Sequence, residues 1–159
     1  MSIPVLDEEA ILSRARAAST LREVGLIAAD VLKKNFGTAP LVMTPIRSGG
    51  IIRGGRPSAR ANLAKLRRVI LELQEANIAV FDQLLFKSVI DSHRIKWRES
   101  EKSHVSEYYD AILFDFYGPI LATGQVKVLF LLPGWNKSRS CRYVRREVLN
   151  RHGRIIKLD

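Results

Sequence analysis

Between Asp7 and Gly37 the apolar residues return at helical spacing: Ile11, Leu12, Ala15 and Ala18, then Val24, Ile27, Ala28, Val31 and Leu32. Positions three and four apart share one helix face, so this stripe is expected to meet a core or an oligomer contact. Asp7 can cap the first helix. Thr20-Leu-Arg-Glu23 has the spacing of a capping box and gives a second start signal, and Gly37 is the expected terminator.

Beyond residue 38 short apolar runs alternate with longer amphipathic ones. Pro40 to Ile46 is apolar and bounded by Gly and Pro, which predicts a buried strand leading into the loop Arg47 to Pro57. Ser58 caps a helix to about Ala76, with Leu63, Leu66, Ile70 and Leu73 on one face. Ile78 to Gln83 reads as a second strand. Leu84 to His104 is polar and irregular apart from Leu85, Phe86, Val89 and Ile90, and predicts a short helix followed by a loop. Val105 to Tyr117 is expected to be helical, with Tyr117-Gly-Pro119 as its end. Val126 to Leu132 reads as a strand, Ser138 to Arg151 as a helix ended by Gly153, and Arg154 to Leu158 as a last strand.

Strands that alternate with helices predict an α/β fold: a doubly wound parallel sheet of four or five strands, covered on both faces, with an N-terminal helical extension. The 159 residues suffice for one such domain with its own core, the extension covering 1–38 and the α/β part 39–159. Sheets of this type bind ligands beyond the carboxyl ends of neighbouring strands whose connections leave in opposite directions.

Composition narrows the function class. The longest uncharged run, Asn35 to Ile46, is broken by Gly37, Pro40 and Pro45 and is too short for a spanning helix, which needs about 20 apolar residues. Asp7, Glu8 and Glu9 near the start are the opposite of a basic leader, so a cytoplasmic protein is expected. Cys141 is the only cysteine, and His93, His104 and His152 are scattered, so no disulfide, metal site or cofactor is expected.

The formal net charge is +10, and it is localised. Arg47, Arg53, Arg56, Arg60, Lys65, Arg67 and Arg68 stand together with no acid among residues 47–68. A second basic block fills residues 137–159, where Glu147 and Asp159 are the acids. If the first and third strands are neighbours, the loops that open both blocks meet at one crevice, and an anionic ligand follows.

Two of those loops carry suitable chemistry. Ser48-Gly49-Gly50-Ile-Ile-Arg53-Gly54-Gly55 offers unobstructed backbone N–H groups ahead of a helix N-terminus, which suits a phosphate or carboxylate. It lacks the Lys-Ser/Thr pair of an ATPase P-loop and is not GxGxxG. Leu131-Leu-Pro-Gly-Trp135-Asn-Lys-Ser138 ends a strand in a tight turn and caps the next helix with Ser138. Asp82 and Gln83 stand where the second strand is expected to end, a position from which polar groups reach ligands.

Together Thr44-Pro-Ile-Arg-Ser48-Gly49-Gly50, Asn62, Val80-Phe-Asp-Gln83, Leu85-Phe86, Phe116-Tyr-Gly-Pro-Ile120, Thr123-Gly124, and Leu132-Pro-Gly-Trp135 with Ser138 resemble the nucleoside 2-deoxyribosyltransferase-like family over residues 39–159. The resemblance implies a flavodoxin-like sheet and a substrate whose N-glycosidic bond is cleaved or exchanged. It also implies a Glu nucleophile on the helix after the Pro-Gly-Trp turn. Val144 occupies that position here, and Glu147 lies three residues on, about 4.5 Å along the helix axis.

The expected ligand is therefore a nucleotide or another phosphorylated ribose. Ser48, Gly49, Gly50 and Arg53 would face its phosphate, Asp82, Gln83 or Trp135 would lie near base or sugar, and Ser138 is a further substrate-binding candidate. Glu147 and Asp82 are the candidate catalytic pair should the chain be active. A nucleic-acid-binding or regulatory protein without catalysis stays open as the alternative, and a homo-oligomer is expected.

Overall fold

A computed structural model describes residues 3–45, 59–100 and 109–159. The N-terminal pattern forms two helices, α1 (Glu8–Ala17) and α2 (Leu21–Asn35). Asp7 accepts from the Ala10 N–H at 3.1 Å. Thr20 accepts from the Glu23 N–H at 3.2 Å, while the Glu23 carboxylate reaches back to the Ser19 N–H at 2.8 Å, one residue before the cap. α2 ends at an extended Phe36, ahead of the expected Gly37.

Three strands follow in one parallel sheet in the order β1-β2-β3: β1 (Leu41–Met43), β2 (Val128–Leu131) and β3 (Arg154–Lys157). Leu41 pairs with Leu129, Val42 with Phe130 and Met43 with Leu131. Alternation along the strands divides the core in two. Leu41, Met43, Leu129 and Leu131 turn to one face, with Val24, Ala28 and Leu32 of α2 and Cys141, Val144 and Val148 of α6 (Arg139–Asn150). Val42 and Phe130 turn to the other, with Leu66 and Ile70 of α3 (Ala59–Glu75). The N-terminal stripe is thus core within the chain: Ala15, Val24, Ala28 and Leu32 have no exposure.

The sheet has fewer strands than expected. Ile78–Gln83 does not form one: Ala79, Val80 and Phe81 are buried, the Val80 N–H bonds the Ile78 carbonyl at 2.9 Å in a tight turn, and one backbone bond, from the Phe81 N–H to the Pro40 carbonyl at 2.9 Å, links the segment to the start of β1. Pro40 has no N–H to give the Ala79 carbonyl, and the next carbonyl of β1, that of Val42, is taken by the Gln83 side-chain amide at 2.6 Å in place of a backbone N–H. The Asp82 carboxylate then takes the Leu84 N–H at 2.9 Å and winds Gln83–Phe86 into a 3₁₀ turn.

That turn runs into α4 (Lys87–Ser100), so a long helix stands where a short one and a loop were expected. Further on, Ile112–Tyr117 is a π-helix, and it continues through the expected terminus into α5 (Gly118–Ala122), with Pro119 at the second residue of α5. α6 ends with the Gly153 N–H on the Val148 carbonyl at 2.8 Å and the His152 N–H on the Leu149 carbonyl at 3.0 Å. His152, at φ 60°, is the left-handed residue of this cap, not Gly153.

Two residues tie these pieces together. Gln125 donates from its side-chain amide to the Leu32 and Phe36 carbonyls at 3.2 and 2.8 Å, closing the end of α2 against the approach to β2. Gly25 lets α2 touch the π-helix, since a Cβ there would stand 2.0 Å from the Asp115 carbonyl oxygen. The obstacle is backbone, which cannot rotate away. Gly25→Ala is expected to cost about 3 kcal/mol, the upper end of ordinary overpacking, read as a lower urea midpoint with an unchanged slope.

Candidate functional site

β1 and β2 are adjacent and parallel, and the helices that follow them lie on opposite faces, α3 on one and α6 on the other. Side chains from both connections cannot cover the line beyond the two carboxyl ends, which is where doubly covered sheets open a crevice. A cleft of about 130 Å³ lies there. Met43 and Thr44 end β1 at its floor, Ser138 and Ser140 come from the start of α6, Ile112 and Tyr117 from the π-helix, and Gln83, Lys87, Asp91 and Arg94 from the 3₁₀ turn and α4.

The polar chemistry is concentrated in the α4 wall. Gln83 is only 5% exposed. Its amide nitrogen donates to the Val42 carbonyl at 2.6 Å, which fixes the amide, since the opposite orientation would set two acceptors against each other. Its Oε1 is left with no partner among the described residues. A buried acceptor without a donor is costly, and at a cleft wall it is a place for a ligand's O–H or N–H. One turn on, Lys87 and Arg94 both hold the Asp91 carboxylate. Ser138 takes the Cys141 N–H at 3.2 Å and caps α6, so the positive end of a twelve-residue helix faces the same space.

Of the residues expected from the sequence, Gln83 and Ser138 meet in this cleft. Ser48, Gly49, Gly50 and Arg53 lie outside the described residues. Asp82 does not line the cleft, although Gln83 and Leu84 beside it do; its carboxylate is the cap of the 3₁₀ turn. Trp135 packs against the larger core cluster, with the Arg145 guanidinium 5.1 Å and the Lys157 ammonium 5.3 Å from its ring centre. Glu147 does not line the cleft either: Arg151 holds its carboxylate at 2.6 Å. Val144, at the position the family resemblance gives to a nucleophile, is fully buried among the core side chains.

Sequence reasoning missed Lys87, Asp91 and Arg94. A signal was present in the spacing Gln83, Lys87, Asp91, Arg94, four, four and three residues apart, which sets these polar groups on one helix face with charge pairs at favourable separations. Cys141 is inert by contrast, its thiol pushed up to about 11 by burial. Among the described residues there is no group of three or more His, Cys, Asp or Glu placed to hold a metal, and no helix long and apolar enough to cross a membrane. No protein-family model, curated protein or solved structure matches the chain.

Asp82 makes the site's wall sensitive to pH. Burial raises its pKa above the ordinary 3.8, Glu8 of α1 adds to the rise, and the Leu84 N–H and Arg67 of α3 oppose it. The folded chain therefore binds this proton more tightly than the unfolded one, so its contribution to stability falls as pH rises from about 3.8 through the raised value. Asn keeps the cap and removes the charge. In thermal melts, Asp82→Asn is expected to gain in Tm relative to the parent at neutral pH and to lose that gain in acid.

Proposed function

We propose that the chain binds a nucleotide or another phosphorylated ribose at the carboxyl edge of its sheet, as a member of the nucleoside 2-deoxyribosyltransferase-like family that no longer uses the family's nucleophile position. The observation that carries this reading is the buried Gln83 Oε1, without a partner among the described residues, in the wall of a cleft that also holds Lys87, Arg94 and the N-terminus of α6. A sugar hydroxyl or base N–H satisfies the first, and a phosphate the others.

A flavodoxin-like frame is part of the proposal. The buried Ala79–Phe81 segment meets the free side of β1 through the Phe81 to Pro40 bond. Counted as a rudimentary strand, it gives the order 2-1-3-4, the start of the flavodoxin arrangement, whose ligands sit at the switch between strands 1 and 3.

Deoxyribosyl transfer needs an available carboxylate beside the anomeric carbon. Glu147 is turned to Arg151, and the acid that lines the cleft among the described residues, Asp91, is engaged by two cations. Both arrangements favour binding without transfer through Glu147. Thermal denaturation with a panel of nucleoside and deoxynucleoside monophosphates is the test, coupled to chromatography for free base. A rise in Tm without released base is expected; base release that Glu147→Ala abolishes would overturn the non-catalytic part, and no shift with any nucleotide would overturn the binding part.

A second reading, a nucleic-acid-binding module, rests on Lys137, just before α6, and on Arg139, Arg142 and Arg146 within it, all of them exposed. It requires a steep loss of DNA affinity with salt and no preference for mononucleotides.

A further inference from the structure

We propose that Lys87 and Arg94 form the subsite for the ligand's anionic group, that Asp91 is a built-in competitor for those two cations, and that Gln83 Oε1 takes a hydroxyl of the same ligand. The cleft then selects a pentose phosphate over inorganic phosphate. This deepens the reading of the cleft as a phosphorylated-ribose site and rests on it.

Two cations share one carboxylate here, so the trio leaves one positive charge unbalanced in the cleft wall. The Lys87, Asp91 and Arg94 side chains are 31%, 29% and 15% exposed, so all three are partly shielded, and charge interactions there are less screened than on an open surface. A phosphate carries more charge than a carboxylate and three acceptor oxygens. It can take Arg94 or Lys87 from Asp91, or sit against both. Arrival of the ligand then replaces one anion by another at a prepared pair of donors, with no need to bring in new cations.

Gln83 adds the second requirement. Its amide is locked by the 2.6 Å bond to the Val42 carbonyl, so Oε1 is held as a buried acceptor, without a partner among the described residues, on a residue that lines the cleft. Bare phosphate at the α4 cations has no reason to satisfy it, whereas a hydroxyl attached to the same phosphate ester does. An acceptor and a cation pair spaced along one wall therefore read a molecule that has both a hydroxyl and a phosphate.

Calorimetric titration of the full chain with inorganic phosphate and with ribose 5-phosphate tests this. Asp91→Asn is expected to tighten both ligands by about tenfold, because the competitor has gone, and Lys87→Met to weaken both by about tenfold. Gln83→Met is expected to weaken ribose 5-phosphate by about tenfold and leave inorganic phosphate unchanged. A merely structural Asp91 would give equal or weaker binding on substitution to Asn, which overturns the competition. Should Asp91→Asn fail to fold by circular dichroism, the Lys87→Met and Gln83→Met pair decides. Ribose 5-phosphate binding that none of these substitutions moves overturns the subsite but leaves the proposed function standing; failure of ribose 5-phosphate and of every nucleotide to bind the parent overturns both.

Discussion

The parallel pairing of β1 with β2 is the constraint on which the other parts depend. Their register sets Leu41, Met43, Leu129 and Leu131 toward α2 and α6, and Val42 and Phe130 toward α3. A slip of one residue would exchange the faces and send each helix to the wrong side chains. With this register the two connections must leave in opposite directions, and an uncovered line remains beyond the carboxyl ends. The cleft is therefore a consequence of how the core is closed. The same packing brings the start of α6 and the Gln83 turn to its walls.

Much of the frame was legible in the chain because burial imposes simple periods. The apolar runs at Leu41–Met43 and Val128–Leu131, and the helical stripes of α2, α3 and α6, are each forced by a face that must be covered. What failed to read were places where one polar contact outweighs the period. Ile78–Gln83 has the composition of a strand, but Pro40 cannot donate to it, the Gln83 side chain takes the Val42 carbonyl, and the Asp82 side chain diverts the backbone into a turn. α4 was hidden because it buries so little: Val89 is its one buried residue, Ile90 is partly buried against the core, and Lys87, Asp91 and Arg94 share the side that lines the cleft. That polar side is where the site's charges lie.

The excess positive charge pointed to an anion pocket, and its two blocks do follow neighbouring strands. The described cleft, however, draws its cations from α4, in a stretch of the sequence whose net charge is not basic. Several α6 cations are committed elsewhere: Arg145 lies over Trp135, Arg146 over Tyr143, Arg139 against Asp110 and Arg151 on Glu147. Net charge along a sequence thus points to the sign of a partner and not to the residues that would meet it. Spacing on a shared helix face, as in Gln83, Lys87, Asp91 and Arg94, is the finer guide.

A crystal structure of the chain grown with ribose 5-phosphate addresses the central claim most directly. The expected density places the phosphate between Lys87 and Arg94 with a ribose hydroxyl on Gln83 Oε1. A ligand seated on the outer face of α6, or a cleft left with Asp91 still holding both cations while the ligand lies elsewhere, would contradict it.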